Sequence, residues 1–231
     1  ELISAKSNVQ DVIIELKNAL QINPENGEAR WLLGNVYLDL EEGVLAEKEL
    51  KRALEAKVSP QALALALAKT KYYQGKLSEF LAIAIPSYIN KKDRIEWLVL
   101  RGQAFLSKGS LGDASAEFSR AISEDPRSPY ALMGQALLAI KQGRLDDAFG
   151  FLQNALKVDP SMAQLYSLMG DVYRAQAKYV NAYDMYTEAI ARRPWSENDY
   201  LKRASASYDS GNVDNADRDL KVVERRSPKH P

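Results

Sequence analysis

The chain has 231 residues, with 31 Lys and Arg balancing 31 Asp and Glu. That balance lacks the basic excess of a phosphate-backbone binder, so no nucleic-acid partner is expected. There is no cysteine, and the single histidine, His230, stands next to the last residue. Disulfides, thiolate catalysis, cysteine metal sites and histidine-assisted nucleophiles are thereby excluded. No apolar run approaches the ~18 residues of a membrane span. The chain starts at Glu1 without signal-peptide patterning. Glycine-rich phosphate loops are absent, and acidic pairs such as Glu41-Glu42 and Asp146-Asp147 fall at turns, where solvated charge is ordinary. No enzyme activity, cofactor or metal is expected.

In chain order, Val9, Val12, Ile13, Leu16 and Leu20 recur at helical spacing and predict one helix over residues 8–21. It forms a partial repeat, 1–26, whose partner helix is missing or reduced to a stub at Leu2–Lys6. From Gly27 the sequence repeats every 34 residues, with starts at Gly27, Gln61, Ile95, Pro129, Ala163 and Glu197. The units are 27–60, 61–94, 95–128, 129–162, 163–196 and 197–231. The eighth residue is always Gly or Ala: Gly34, Ala68, Gly102, Ala136, Gly170 and Ala204. Further small residues recur at Ala46, Ala114, Ala148, Ala182 and Ala216, and at Ala53, Ala121, Ala155 and Ala189. Small residues let two helix axes approach closely. Pro24, Pro126, Pro160, Pro194 and Pro228 share one phase and end each second helix. Gly75, Gly109, Gly143 and Gly211 fall between the two helices of a unit, where a left-handed cap ends the first.

The unit 61–94 is degenerate. Phe80 replaces a small residue and Pro86 interrupts the second helix, which is expected to be kinked or shortened. The first unit lacks the terminal proline and has Val58, then Pro60. No segment alternates with period two, so no strand is expected. Neither end carries a polar capping element, so a longer array or a homodimer through uncapped ends is expected.

The segments Asn26-Gly-Glu-Ala-Arg-Trp-Leu-Leu-Gly34-Asn-Val-Tyr37 and Ala116-Glu-Phe-Ser-Arg-Ala121-Ile-Ser-Glu-Asp-Pro126 resemble the two helix signatures of the tetratricopeptide repeat family. The resemblance implies an all-α, right-handed superhelical solenoid of antiparallel helix pairs. It also implies that first helices line a concave groove for a protein or peptide partner. By matching phase, that groove would present Trp31, Asn35, Leu38, Leu65, Lys69, Tyr72, Tyr73, Gln103, Leu106, Tyr130, Met133 and Leu137. The fifth unit would add a polar set, Ser167, Asp171 and Arg174, and the sixth Leu201, Ser205, Tyr208 and Asp209. Family members that capture a chaperone's C-terminal carboxylate use basic and amide groups on adjacent first helices. Asn35 fits one such position, but Trp31, Ala62 and Ala66 fill its neighbours, so that clamp is absent.

Residues 12–34, Val-Ile-Ile-Glu-Leu-Lys-Asn-Ala-Leu-Gln-Ile-Asn-Pro-Glu-Asn-Gly-Glu-Ala-Arg-Trp-Leu-Leu-Gly, with 46–55, also resemble the opening repeats of bacterial exosortase/PEP-CTERM tetratricopeptide lipoproteins. That resemblance implies a periplasmic envelope scaffold, lipid-anchored in the full-length protein and linked to exopolysaccharide export or protein sorting. The lipidated cysteine expected upstream is not in this sequence. A cytosolic peptide-binding adaptor of the co-chaperone kind, and the regulatory region of a larger enzyme such as a glycosyltransferase, are the alternatives.

Overall fold

The computed structural model describes residues 9–226; the Leu2–Lys6 stub, Pro228 and His230 lie outside them. The described residues form thirteen α-helices and no strand. They are α1 (Val9–Ile22), α2 (Gly27–Asp39), α3 (Gly43–Glu55), α4 (Pro60–Tyr73), α5 (Leu77–Ala82), α6 (Lys91–Ser107) and α7 (Leu111–Glu124). Then follow α8 (Pro129–Lys141), α9 (Leu145–Val158), α10 (Ala163–Ala175), α11 (Tyr179–Arg192), α12 (Glu197–Asp209) and α13 (Val213–Arg226). The chain divides into two compact units, Glu1–Arg120 and Ala121–Pro231.

Start signals are local. Asn26, Asn90, Ser128 and Ser196 each accept a hydrogen bond from the backbone N–H three residues on, capping α2, α6, α8 and α12. Pro60 and Pro129 occupy the first turn of α4 and α8, where a missing N–H costs nothing. Pro24, Pro126, Pro160 and Pro194 each follow two residues after a second helix ends.

Each first helix ends in the same way. The N–H of Glu42, Lys76, Ser110, Arg144, Lys178 and Asn212 donates to the carbonyl five residues back, closing a left-handed cap. Gly75, Gly109, Gly143 and Gly211 hold that cap at φ of 72°, 77°, 74° and 84°. In the other two caps the left-handed position falls to Glu41 (φ 61°) and Ala177 (φ 57°), side chains that meet a Cβ–carbonyl clash there. Ala177→Gly is expected to stabilise by about 0.5–1 kcal/mol, read as a higher denaturation midpoint.

The hairpin cores follow the small-residue columns. A Cβ on Gly34 would lie 2.6 Å from Leu50, and one on Gly102 or Gly170 would overlap the ring of Phe118 or Tyr186. These partners are fully buried. In the first unit, Ile13 joins Leu33, Leu50 and Leu63 in one cluster, flanked by Val9, Val12, Leu16 and Leu20 of α1.

The degenerate repeat is shortened. α5 stops at Ala82, Ile83 is extended (ψ 120°), and Pro86 lies in a non-helical stretch. Phe80 is fully buried in a second cluster with Leu65, Trp97 and Leu100. α6 begins at Lys91, ahead of the expected start at Ile95, because Asn90 supplies the cap. The orphan carbonyls of the broken helix are not left bare: Arg101 Nη1 donates to Leu81 O (2.7 Å) and Ile83 O (3.5 Å).

A polar knot ties α3 to α4. Glu47 accepts from Lys51 (2.8 Å), Gln74 (2.6 Å) and Lys71 (3.1 Å). The bond from Lys51, then that from Gln74, pushes its pKa from 4.5 down to about 2. A carboxylate lowered in the fold stabilises fully above its unfolded value and loses that contribution as pH falls through the folded one. Stability should therefore drop between pH 4.5 and about 2, and Glu47→Gln should flatten that part of the urea-midpoint profile.

Candidate binding surface

The residues expected to line a groove divide sharply by burial. In the first unit, Leu38 and Leu65 are buried in the two hydrophobic clusters and present nothing to a ligand. Met133, in the second unit, is also buried. These three expectations are corrected: a helix turns its apolar side into neighbouring hairpins, and these side chains lie on the covered side. Trp31, Asn35, Lys69, Tyr72, Tyr73, Gln103, Leu106, Tyr130 and Leu137 are half-buried.

Several of these nine already have internal work. Asn35 donates its side-chain amide to Trp31 O (3.0 Å) on its own helix, and Trp31 and Tyr73 pack against the first cluster. Lys69 pairs with Glu96. Tyr72 meets Tyr73 and Phe80 edge-on, with centroids at 5.5 and 5.6 Å, and its hydroxyl donates to Gln103 Oε1 at 3.4 Å. Burial, with Glu41 adding repulsion, pushes the Tyr72 pKa up, so the phenol stays a neutral donor. Tyr72 and Gln103 therefore form one α4–α6 polar contact with an aromatic flank.

The second unit holds a different surface. An open cleft of about 440 Å³ is lined by Asp171, Arg174 and Ala175 of α10, Tyr179 of α11 and Asp209 of α12. Arg174 Nε donates to Asp209 Oδ2 at 2.7 Å. Asp171 accepts from Tyr186 Oη at 2.8 Å and from Lys202 Nζ at 2.7 Å, while Lys202 also donates to Ser167 Oγ at 3.2 Å. The bond to Asp209 raises the Arg174 pKa; burial, then the Asp171 charge, raises that of Tyr186. Phase had placed Asp171, Arg174 and Asp209 on one face. It gave no sign that they open a cleft, because Tyr179 comes from the second helix.

Elsewhere in this unit arginines build the core. Arg203 donates to both oxygens of Asp219 (2.8 and 2.7 Å) and lies 5.3 and 5.5 Å from the ring centroids of Tyr183 and Tyr200. Arg192 stacks on Tyr166 at 3.9 Å. At the α12–α13 end, Leu201, Tyr208 and Leu220 are exposed, although Leu50, Phe118, Leu152 and Tyr186, in the same register as Leu220, are fully buried. Among the described residues, no group of three or more His, Cys, Asp or Glu could hold a metal ion, and no helix is long and apolar enough to cross a membrane.

Antiparallel hairpins on a fixed register, each closed by the same left-handed cap, define a solenoid of repeated helix pairs. The chain belongs to the tetratricopeptide repeat family, whose sequence profiles match residues 8–82 and 99–163. It is 26% identical over 114 residues to Small glutamine-rich tetratricopeptide repeat-containing protein 2 of Mycosarcoma maydis, a match covering 49% of this chain and 32% of that protein. It is 24% identical over 114 residues to Hsp70-Hsp90 organizing protein 2 of Arabidopsis thaliana, covering 48% of this chain and 20% of that protein. The chain thus matches about a third or less of each relative's length. In fold it is similar to a chain of the APC/C hetero-tetramer Cut9-Hcn1, with a TM-score of 0.63 at 15% identity, over 96% of this chain and 44% of that one.

Proposed function

We propose that the chain is a non-catalytic protein-interaction scaffold, whose first-helix faces receive an extended or helical peptide of a partner. The observation that carries this reading is the state of those faces. In the first unit Tyr72, Gln103 and Leu106 are held half-exposed on first helices, and in the second unit so are Tyr130 and Leu137, with Leu137 at the register position of Gln103, while the small-residue columns form the hairpin cores. Rigid aromatic and aliphatic groups kept at a surface are binding anchors.

Photo-crosslinking in native cells tests it, with benzoylphenylalanine placed at Gln103 or Tyr130 and, as controls, at Lys51 and Arg120 on second helices. The first pair should capture one partner protein and the controls should not. Equal capture from all four positions would remove the reading.

Two settings follow from different observations. The N-terminal resemblance to exosortase-associated lipoproteins supports an envelope scaffold serving polysaccharide export or protein sorting. The name of the Arabidopsis relative supports an adaptor that holds chaperones or similar proteins. Because Trp31, Ala62 and Ala66 occupy clamp positions, that adaptor would not use the carboxylate clamp there. Native protein in the envelope fraction fits the first setting, and native protein in the cytosol overturns it. The exposed Leu201, Tyr208 and Leu220 support self-association at that end. A strictly monomeric mass in light scattering at every concentration would eliminate it.

A further inference from the structure

We infer that Arg174 anchors a carboxylate of the partner peptide in the α10–α12 cleft, an assignment that rests on the scaffold reading above. Arg174 is oriented without being used up. Its Nε is held by Asp209 Oδ2 at 2.7 Å, which fixes the guanidinium plane. Among the described residues, its two terminal nitrogens meet no acceptor, and they border the open cleft of about 440 Å³.

Neighbouring arginines are spent differently. Arg203 gives Nε and Nη2 to Asp219 and Nη1 to Thr187. Arg192 gives Nε to Pro160 O, Nη1 to Glu188 and Nη2 to Tyr166. A planar fork with both arms open, fixed from behind by a carboxylate, is the arrangement that receives an anion through two parallel hydrogen bonds. The Tyr179 hydroxyl on the same cleft also has no partner among the described residues and adds a donor.

The balance of open groups selects the ligand's sign. The Asp171 oxygens accept from Tyr186 and Lys202, and Asp209 Oδ2 from Arg174. Open donors therefore outnumber open acceptors. The same groups select its charge. Asp171 and Asp209 are offset by Lys202 and Arg174, so the cleft is neutral before a ligand enters. A monoanion gains the fork, whereas the second charge of a phosphate would face two aspartates at short range with no further cation to offset it.

The site also differs from the carboxylate clamp in register. Asp171 stands where the clamp has the amide that Asn35 matches, and Arg174 lies nearly one turn further along α10.

The test is a titration of the full chain at constant ionic strength, followed by NMR at the arginine Nε–H and backbone amide signals. The probes are acetyl-Gly-Glu-Gly-amide (side-chain carboxylate), acetyl-Gly-Gln-Gly (C-terminal carboxylate), acetyl-Gly-Gln-Gly-amide (neutral) and acetyl-Gly-phosphoSer-Gly-amide. Either carboxylate probe should shift the Arg174 Nε–H and Tyr179 amide saturably, at least tenfold more tightly than the neutral probe; which one does so identifies the source. Arg174→Gln should abolish that preference, and Arg144→Gln, on an exposed arginine, should leave it intact. Tighter binding of the phosphopeptide, shifts shared equally by exposed arginines, or a preference that survives Arg174→Gln would each overturn the assignment. Peptide capture at Gln103 and Tyr130 is read separately, so failure at Arg174 leaves the scaffold reading standing and is distinguishable from failure of that reading.

Discussion

Replacing Arg203 with Met should destabilise the second unit by about 3–5 kcal/mol, because it strands a buried carboxylate. Asp219 is 5% exposed, and both of its oxygens accept from Arg203. The bond to Asp219 is also the main cause of the raised Arg203 pKa. The preceding repeat solves the same positions differently, with Met169 and Met185. The double variant Arg203→Met/Asp219→Met copies that solution. It should lie within about 1.5 kcal/mol of the parent, since well-packed apolar residues commonly replace a buried ion pair without loss. Urea denaturation of the parent, both single variants and the double variant measures the coupling. A mild single variant, or a double variant as poor as the single, would show that the pair is not what holds α12 to α13.

The second large effect is expected at Phe118. Its ring is fully buried against Gly102, and Phe118→Ala should cost about 3–5 kcal/mol through the cavity it leaves. Gly102→Ala should cost about 1–3 kcal/mol by overpacking, partly offset by the better helix propensity of alanine. Elsewhere the same two positions hold Ala136 with Leu152, and Ala204 with Leu220. Gly102→Ala combined with Phe118→Leu should therefore recover most of the lost stability, a strongly non-additive cycle between contacting residues. Purely additive costs would mean that the glycine does not make room for the ring.

Much of this architecture was legible because it repeats. α2, α8, α10 and α12 open on the residues from which the period was counted, and the four turn glycines have the expected left-handed backbone. Glu41 and Ala177 take the same conformation without the residue type that signals it, so only their register position could have disclosed it. The break after Phe80 was readable from Pro86. The cap at Asn90 and the reach of Arg101 to Leu81 and Ile83 were not, because one is a single local substitution and the other a contact across twenty residues that no period marks.

The candidate surface was less legible for a related reason. Phase identifies which side of a first helix a residue occupies, but not how much of that side the next hairpin covers. Leu38, Leu65 and Met133 share register positions with more exposed residues, such as Tyr208 and Leu201, and are covered. The Arg101–Glu117 and Arg203–Asp219 pairs do carry a signal in the sequence: both are separated by sixteen residues at the same two register positions.

The interruption in the second repeat also governs where the chain can be cut. Residues 83–90 are the longest non-helical stretch among the described residues, and Tyr88 within them is 53% exposed. A protease binds its substrate as an extended strand, which intact helices and tightly closed turns do not offer. Chymotrypsin at low dose should therefore nick first after Tyr88. Asn90 caps the helix on one side of that nick and Arg101 covers the carbonyls on the other, so the two pieces should remain associated after cleavage.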